Sequence, residues 1–245
     1  MAAIPARMAS SRFPGKPLAP LAGEPMILHV VRRAREAALV DEVLVATDSG
    51  EIAAVVEAAG GRAVLTGECA SGTDRIAQAL AGIPCVELVL NIQGDEPLLP
   101  ATNVDTLVRG MLDRPEVELG TLCRPLDARA AADPNAVKVV RRRDGRALYF
   151  SRSMIPYPRG VEALELFRLH LGIYAYRPRA LERLVALPQS PLELAEGLEQ
   201  LRALENGMEM LVLDAPEPSW GVDTPEDLAR AEAILARRRG LKTGD

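Results

Sequence analysis

The chain has 245 residues, of which 48% are apolar and 26% are charged. This composition is sufficient to bury a core, in one large α/β domain or in two small ones. The net charge of −5 argues against a surface built to bind nucleic acid. Clusters of basic residues are therefore expected to bind a small anionic ligand, such as a nucleotide.

The sequence predicts a protein of the cytoplasm that inserts in no membrane. No apolar stretch approaches the ~18 residues of a membrane span, and Arg7 falls too early for the apolar region of a signal peptide. Cys69, Cys85 and Cys123 have neither paired nor zinc-like spacing. We interpret them as reduced thiols that pack as small hydrophobic side chains.

The first half of the chain alternates apolar runs with helical patterns, which is the rhythm of βαβ units. Strands are predicted at 1–6, 43–47, 62–65 and 87–92. Helices are predicted at 25–38, 51–59 and 73–81. Continuous apolar runs in this alternation are typical of buried parallel strands. His29 lies beside the apolar stripe of the first helix and is interpreted as structural.

The pattern changes after Leu119. Strand-like pieces follow one another without intervening helices, at 136–141, 147–150 and 169–176. They predict an inserted, partly antiparallel region. Helical patterns return at 191–205 and 225–238. Each has proline at its first position and a capping-box pattern at its start, Ser190-x-x-Glu193 and Thr224-x-x-Asp227.

The segment after the first strand is basic and rich in small residues. Arg7, Arg12 and Lys16 stand within ten positions, beside residues that let the backbone approach an anion closely. A Walker A loop is excluded, because Pro17 stands where Ser or Thr is required and the first glycine is missing. The segment therefore predicts a phosphate-binding loop of another kind.

Two acidic motifs are candidates for a metal site. Residues 93–97 (Gln-Gly-Asp-Glu-Pro) follow a buried strand, where ligands of open α/β sheets bind. Asp95 suits Mg²⁺ there, although an aspartate that only caps a turn is common. Asp223, in residues 220–227 (Trp-Gly-Val-Asp-Thr-Pro-Glu-Asp), precedes a helix start. It is placed either to stabilise the helix end or to face a cleft.

Four further segments carry candidate ligand-binding groups. Residues 71–75 (Ser-Gly-Thr-Asp-Arg) form a loop-to-helix junction, with Thr73 as a plausible N-cap. Arg152 follows a strand and could bind a carboxylate bidentately. His170 lies in an apolar strand, where a histidine is more often a hydrogen-bonded core residue. Glu199 and Gln200 could accept and donate hydrogen bonds to a ligand or form a solvated helix face.

Together these segments resemble the CMP-Kdo synthetases (3-deoxy-manno-octulosonate cytidylyltransferases), which are relatives of the CMP-sialate synthetases. The resemblance covers most of the chain. It rests on the basic loop and on residues 71–75, 93–97, 150–152 (Phe-Ser-Arg), 170–174 (His-Leu-Gly-Ile-Tyr), 198–202 (Leu-Glu-Gln-Leu-Arg) and 221–225 (Gly-Val-Asp-Thr-Pro). It implies the Rossmann-like α/β nucleotide-diphospho-sugar transferase fold, with a mostly parallel sheet and a partly antiparallel inserted region.

The resemblance also implies a reaction and its residues: CMP passes from CTP to Kdo and pyrophosphate is released, with Mg²⁺ as cofactor. The residues expected to be catalytic are Arg7, Lys16, Asp95 and Asp223, of which the two aspartates hold Mg²⁺. Those expected at the nucleotide are Ala6, Arg7, Arg12, Lys16, Ser71, Arg75 and Gln93. Those expected at the sugar acid are Arg152, His170, Tyr174, Glu199 and Gln200.

Expectations for the whole chain follow from the same resemblance. They are a homodimer and a single domain over 1–245. Within that domain, the nucleotide part is expected at about 1–118 plus 209–240, and the sugar-acid and dimerisation part at about 119–208. The first strand is shorter than in relatives, and residues 168–170 (Arg-Leu-His) replace a more frequent Arg-His pair, which leaves open whether Arg168 reaches the sugar. The alternatives are a CMP-sialate synthetase, another sugar nucleotidyltransferase, or a non-catalytic CTP-binding module.

Overall fold

The computed structural model describes residues 1–9, 13–83, 86–160 and 165–242, without the side chains of 238–242. The chain divides into two compact units. The first unit comprises Met1–Cys85, Asn91–Val104 and Ser219–Asp245, and the second comprises Val86–Leu90 and Asp105–Pro218. No helix in these described ranges is long and apolar enough to cross a membrane.

The described elements alternate in type in the first half of the chain and are mostly strands in the middle. The strands are β1 (Ala2–Ala6), β2 (Pro20–Leu21), β3 (Glu24–Pro25), β4 (Val43–Thr47), β5 (Arg62–Leu65), β6 (Val89–Asn91), β7 (Leu119–Pro125), β8 (Lys138–Arg141), β9 (Ala147–Ser151), β10 (Arg168–Tyr176) and β11 (Met210–Asp214). The helices are α1 (Met26–Arg35), α2 (Gly50–Ala58), α3 (Gly72–Leu80), α4 (Ala101–Leu112), α5 (Ala128–Ala131), α6 (Pro178–Ala186), α7 (Pro191–Glu196), α8 (Gln200–Glu205) and α9 (Pro225–Lys242).

Parallel strands organise the first unit. β1 pairs with β4 from Ala2↔Val43 to Ala6↔Thr47, and β4 pairs with β5. The chain beyond β6 continues along β1, because Ile92 N donates to Ala3 O over 3.1 Å. The apolar runs of β1 and β4 are almost wholly buried, as expected for parallel strands covered on both faces.

Helix α9 packs on the first unit through an apolar cluster. Ala231 and Leu235 of the helix contact a group of buried residues that includes Val222, Leu98 and Met26. The start of the helix is held by the predicted reciprocal bonds: Asp227 N donates to Thr224 Oγ1 over 3.2 Å, and Thr224 N donates to Asp227 Oδ2 over 3.1 Å. This capping box is therefore confirmed.

The second unit combines parallel and antiparallel strands. β7 lies between β11, which is parallel to it, and β10, which is antiparallel to it. β8 pairs antiparallel with both β9 and β10. The rings of Phe150 and Phe167 are fully buried in this unit. The α/β class, with mostly parallel strands and a partly antiparallel region, is confirmed.

The single helix predicted over 191–205 is wrong. Two short helices, α7 and α8, occupy this range, and Gly197 between them has a φ of +61°. That left-handed conformation ends a helix and favours glycine. The start of α7 is as predicted, because the Glu193 carboxylate accepts a hydrogen bond from Ser190 N over 3.1 Å. The apolar spacing continues across the break, so the spacing alone hides it.

Candidate active site

The basic loop begins where β1 ends. Arg7 directly follows the strand and its side chain is exposed. The chain then returns to Met8, whose carbonyl accepts a hydrogen bond from Gly15 N over 3.0 Å. A single 3₁₀ turn over Lys16–Leu18 follows and positions Lys16. Arg12 lies outside the described residues.

The loop after β6 passes directly over the end of β1. A Cβ atom added to Gly94 would lie only 2.9 Å from the carbonyl oxygen of Pro5, so no larger residue fits without a backbone shift. The loop then turns, and Glu96 N donates to Gln93 O over 3.2 Å. Glycine at this position brings Asp95 to the end of the strand that precedes Arg7.

Lys16 joins the two candidate metal ligands. Its Nζ lies 2.6 Å from Asp95 Oδ2 and 3.4 Å from Asp223 Oδ1. The exposed fractions of the side chains are 13% for Lys16, 32% for Asp95 and 50% for Asp223. The structure thus brings together two aspartates that are far apart in sequence, and it places one cation against both.

The alternative role of Asp223 as a helix-start residue is already filled by its neighbours. Thr224 and Asp227 provide the capping bonds of α9. Asp223 N also donates to Asp227 Oδ2 over 3.2 Å, while the Asp223 carboxylate reaches Lys16. The capping function therefore does not require the Asp223 side chain.

Glu96 is a site residue that sequence reasoning missed. Its Oε2 accepts a hydrogen bond from Ser219 Oγ. Burial, followed by the negative charges of Asp95 and Asp223, raises the pKa of the Glu96 carboxyl to about 7, against the opposing effect of the Ser219 bond. The adjacency of Glu96 to Asp95 is a signal in the sequence, whereas nothing in the sequence marks Ser219 as its partner.

Lys16 and the two aspartates border a cleft of about 290 Å³ in the first unit. Asp95 and Asp223 line it together with every predicted nucleotide residue that the structure describes. Those residues are Ala6, Arg7, Lys16, Ser71, Arg75 and Gln93. The structure thus brings the basic loop, the 71–75 junction and both acidic motifs together around one cleft. Their roles toward a nucleotide stay a prediction.

The 71–75 junction is ordered by its own side chains. Ser71, and not Thr73, caps α3: Asp74 N donates to Ser71 Oγ over 3.1 Å, whereas Thr73 is buried. The prediction of Thr73 as the N-cap is therefore wrong. Arg75 is only 3% exposed, and it donates to Asp48 Oδ2 over 2.6 Å. A second donor of Arg75 binds Thr66 Oγ1, also over 2.6 Å.

Arg152, in the second unit, is held by backbone carbonyls. Its Nε donates to Glu196 O over 2.7 Å, its Nη1 to Pro134 O over 3.2 Å and its Nη2 to Gly197 O over 3.4 Å. The Glu196 carboxylate in turn accepts the Arg152 backbone N–H over 2.9 Å. The guanidinium is therefore fixed in place by the protein, and its predicted contact with a substrate carboxylate stays a prediction.

His170 is a neutral residue of an aromatic cluster. Thr121 Oγ1 donates to Ile173 O over 2.7 Å, so it accepts the hydrogen of His170 Nε2, which lies 3.0 Å away. The lone pair is then on Nδ1. Burial lowers the pKa of His170 to about 3, and the rings of Phe150 and Tyr174 lie 5.0 and 5.4 Å from it between centroids.

Gln200 is buried, so its interpretation as part of a solvated helix face is wrong. Its Nε2 has no hydrogen-bond partner in the part of the chain that the structure describes. A buried amide without a partner is costly, so Gln200 Nε2 requires a partner such as water or a ligand. Glu199 beside it is partly exposed.

Arg168 Nη1 donates to the carbonyls of Glu165 and Phe167, over 2.6 and 3.0 Å.

The donors available to a metal are few. Across residues 1–9, 13–83, 86–160 and 165–242, no three His, Cys, Asp or Glu side chains are grouped to hold one ion. The pair Asp95 and Asp223 is consistent with Mg²⁺, which binds one or two carboxylates and completes its octahedron with phosphate and water oxygens. The Lys16 ammonium already contacts both carboxylates, so the pair accepts a shared cation.

A parallel α/β unit with a basic loop, two acidic motifs and a cleft at the strand ends is typical of nucleotide-binding α/β proteins. The comparison with known families identifies the protein family to which the chain belongs. The chain belongs to the cytidylyltransferase family, because residues 1–210 match the family model described as Cytidylyltransferase.

Individual relatives within this family carry a more specific name. The chain is 52% identical to a 3-deoxy-manno-octulosonate cytidylyltransferase of Anaeromyxobacter sp. (strain Fw109-5), with 95% of each chain covered. It is 44% identical to one of Escherichia coli, over 96% of this chain and 95% of the relative. A solved CMP:2-keto-3-deoxy-manno-octonic acid synthetase complexed with CTP matches with a TM-score of 0.93 and 44% identity, over 97% and 98% of the two chains. The resemblance drawn from the motifs is confirmed.

Proposed function

We propose that this chain transfers CMP from CTP to 3-deoxy-D-manno-octulosonate (Kdo) and releases pyrophosphate. The observation that carries the proposal is the cluster in which Lys16 Nζ contacts Asp95 and Asp223 inside the cleft. The substrates are taken from the relatives, whose names specify cytidylyl transfer to this sugar acid, and from the solved relative that is complexed with CTP.

The basic side of the cleft is suited to a triphosphate. Arg7 is exposed there, and it forms no ion pair within the described part of the chain, so it can bind phosphate without breaking a protein contact. Lys16 contributes a second positive charge. The amino end of α3, which begins at Gly72, also borders the cleft, and backbone N–H groups at a helix start favour anions.

We propose Mg²⁺ as the cofactor, held by Asp95 and Asp223. Both carboxylates are partly exposed, and both already contact the Lys16 ammonium, so they can bind one cation together. When bound, the metal would act as a Lewis acid toward the phosphate oxygens. The remaining coordination positions would be filled by phosphate and water.

The residues of the chain stabilise charge in this reaction. The anomeric hydroxyl of the acceptor loses its proton to water and attacks the α-phosphorus in line, and the bond from that phosphorus to pyrophosphate breaks. Arg7 and Lys16 neutralise the negative charge that grows on the departing phosphates. No protein nucleophile is required for this direct transfer, and no His or Cys is among the described residues that line the cleft.

For the acceptor we propose contacts with Arg152, His170, Tyr174, Glu199 and Gln200 of the second unit. The unpartnered Nε2 of Gln200 supports this, because a sugar hydroxyl would complete its hydrogen bonding. His170 would act as a neutral acceptor at Nδ1, since burial lowers its pKa to about 3. A protonated imidazole that pairs with the acid is therefore not part of the proposal.

Pyrophosphate release, measured with each pairing of a nucleotide and an acceptor, tests the proposed function. CTP with Kdo should be turned over rapidly, and CTP with sialate or with a sugar 1-phosphate should not. ATP and GTP should be poor donors, because each polar group of the base pocket left unpaired costs about 1–3 kcal/mol. Faster turnover with sialate or a sugar phosphate would contradict the Kdo assignment. CTP binding without turnover of any acceptor would favour a non-catalytic module.

From the names of the relatives we propose that the product serves lipopolysaccharide synthesis. We also retain the homodimer and the location in the cytoplasm as predictions. The mass of the protein in solution, measured by light scattering, tests the first. A mass of one chain, 26.3 kDa, would contradict the dimer.

A further inference from the structure

Glu96 directs its carboxyl toward the segment that carries the second aspartate, which we call the Asp223 segment (residues 219–223). Ser219, the first residue of this segment, donates a hydrogen bond from Oγ to Glu96 Oε2. A Cβ atom added to Gly221 would lie 3.5 Å from Glu96 Oε1, so the middle of the segment runs in contact with the same carboxyl. Both oxygens of Glu96 thus face the Asp223 segment.

The far end of the segment is attached separately. Val222 is 1% exposed in the core of the first unit, and its N–H donates to Asp95 O over 2.8 Å. The Asp223 carboxylate, by contrast, is half exposed, and its contact with Lys16 Nζ, at 3.4 Å, is longer than the 2.6 Å contact of Asp95. The beginning of the segment is held by the bond from Ser219 to Glu96.

We infer that Glu96 is a positioning residue: by holding Ser219 it fixes the Asp223 segment, so that the Asp223 and Asp95 carboxylates bind one cation. The inference rests on the proposed function, in which these two aspartates hold Mg²⁺. Groups that orient metal ligands commonly change affinity or activity about 10–100-fold when they are removed. Asp223 is sensitive to such a loss because its contact with the shared cation is already the longer one.

Paired substitutions on both sides of the bond test the inference. Glu96→Ala and Ser219→Ala should each lower kcat about tenfold and raise the Mg²⁺ concentration needed for half-maximal rate, while the KM for Kdo stays near that of the wild type. Glu96→Gln keeps an acceptor for Ser219 and should restore most of kcat. The double variant should be no worse than Glu96→Ala, since both substitutions remove one interaction.

The most informative test of the inference is to make Glu96→Ala in the Asp223→Asn variant. If Glu96 acts through Asp223, Glu96→Ala should have no further effect on the residual kcat of Asp223→Asn. A further tenfold loss in that background, or wild-type kcat in both Glu96→Ala and Ser219→Ala, would overturn the inference. If Glu96→Ala does not fold, Ser219→Ala alone decides between these results.

Hydrogen exchange provides a readout that is independent of turnover. In metal-free protein, Ser219→Ala should speed exchange of backbone amides in the Asp223 segment and leave those of β4 unchanged. Unchanged exchange in the segment would contradict the inference. Failure of the proposed function is distinguishable, because the wild-type protein would then release no pyrophosphate from CTP and Kdo, whatever the result for Ser219.

Discussion

The cluster of Lys16, Asp95 and Asp223 in the first unit and Arg152 in the second unit differ in how much of their bonding the protein already satisfies. In the first unit, Lys16 and the two aspartates contact one another in a cleft and stay partly exposed. In the second unit, Arg152 is bound to three backbone carbonyls. The cluster can exchange its partners for a ligand, whereas the Arg152 guanidinium is already held by the fold.

Because of this difference, substitutions at the two places should differ in their effects on catalysis and on stability. Replacing an exposed charge in a cleft removes an interaction with the ligand and leaves few buried groups unpaired. Replacing Arg152 removes one partly buried and two exposed hydrogen bonds to backbone carbonyls, at about 0.5–1.5 kcal/mol for each bond that water does not replace. Substitutions of Lys16, Asp95 and Asp223 should therefore affect turnover more than melting, and those at Arg152 should affect both.

The largest effect is expected at the two aspartates. Asp223→Asn should lower turnover at least about a hundredfold, equivalent to roughly 2.7 kcal/mol of barrier, with little change in melting temperature. Asp95→Asn should act alike, and the double variant should be far less damaging than the product of the two. Steady-state kinetics and thermal melting check this.

Glu226→Gln is the matched control for these substitutions, because Glu226 is an exposed carboxylate three positions from Asp223. It should turn over like the wild type. If Asp223→Asn does so as well and keeps its metal dependence, the two aspartates do not share a catalytic metal.

Lys16→Met should have the next largest effect. It removes the ammonium that neutralises charge on the triphosphate, so turnover should fall about thirtyfold with the fold intact. Arg32→Met, which removes an exposed cation from α1, is the control. Early melting of Lys16→Met combined with normal turnover per folded molecule would assign Lys16 to structure.

Arg152→Lys tests the second unit. The charge is kept but the planar fork is lost, so the KM for Kdo should rise about tenfold while the KM for CTP stays the same. Because carbonyls also lose donors, melting should occur earlier than in the wild type.

The control for Arg152→Lys is Arg141→Lys, which alters an arginine bound to Asp214 and to the Val212 carbonyl in the same unit. It should leave both KM values unchanged. A loss of CTP affinity in Arg152→Lys would instead assign Arg152 to the nucleotide.

The smallest effect is a pH dependence of stability from Glu96. Burial and the nearby aspartates raise its pKa from 4.5 to about 7 in the folded protein, so the folded state binds the proton more tightly than the unfolded state. Its stabilising contribution is complete below pH 4.5 and is lost as the pH rises through about 7. With allowance for partial exposure, the loss is about 1–2 kcal/mol.

Chemical denaturation of metal-free protein between pH 4.5 and 8 measures this effect. The free energy of unfolding of the wild type should fall across that range relative to Glu96→Gln. A constant difference between the two proteins would contradict the raised pKa.

The local parts of the fold could be predicted from the sequence. The bounds of β4 and β5 agree with their apolar runs, and the cap at Thr224 and Asp227 follows from residues three positions apart. Each depends on spacing within one element. The break at Gly197 could not be predicted in the same way, because the apolar spacing continues through it.

The same distinction, between local spacing and contacts of distant segments, applies to the candidate site. Asp95 could be found from its place after a buried strand. The contact of Lys16 with both aspartates, the bond between Glu96 and Ser219, and the burial of Gln200 depend on packing between segments that are distant in sequence. A motif identifies the residue type that chemistry needs, whereas the partner of that residue is set by the tertiary fold.

The most direct test of the two-aspartate site is a crystal structure with Mn²⁺ and a non-hydrolysable CTP analogue, with the metal located by anomalous scattering. One peak is expected, bound by carboxylate oxygens of both Asp95 and Asp223 at about the 2.1 Å typical of Mg²⁺, with the Lys16 ammonium moved from the two carboxylates to the phosphates. A metal bound away from either aspartate, with Lys16 still between them, would contradict the two-aspartate site.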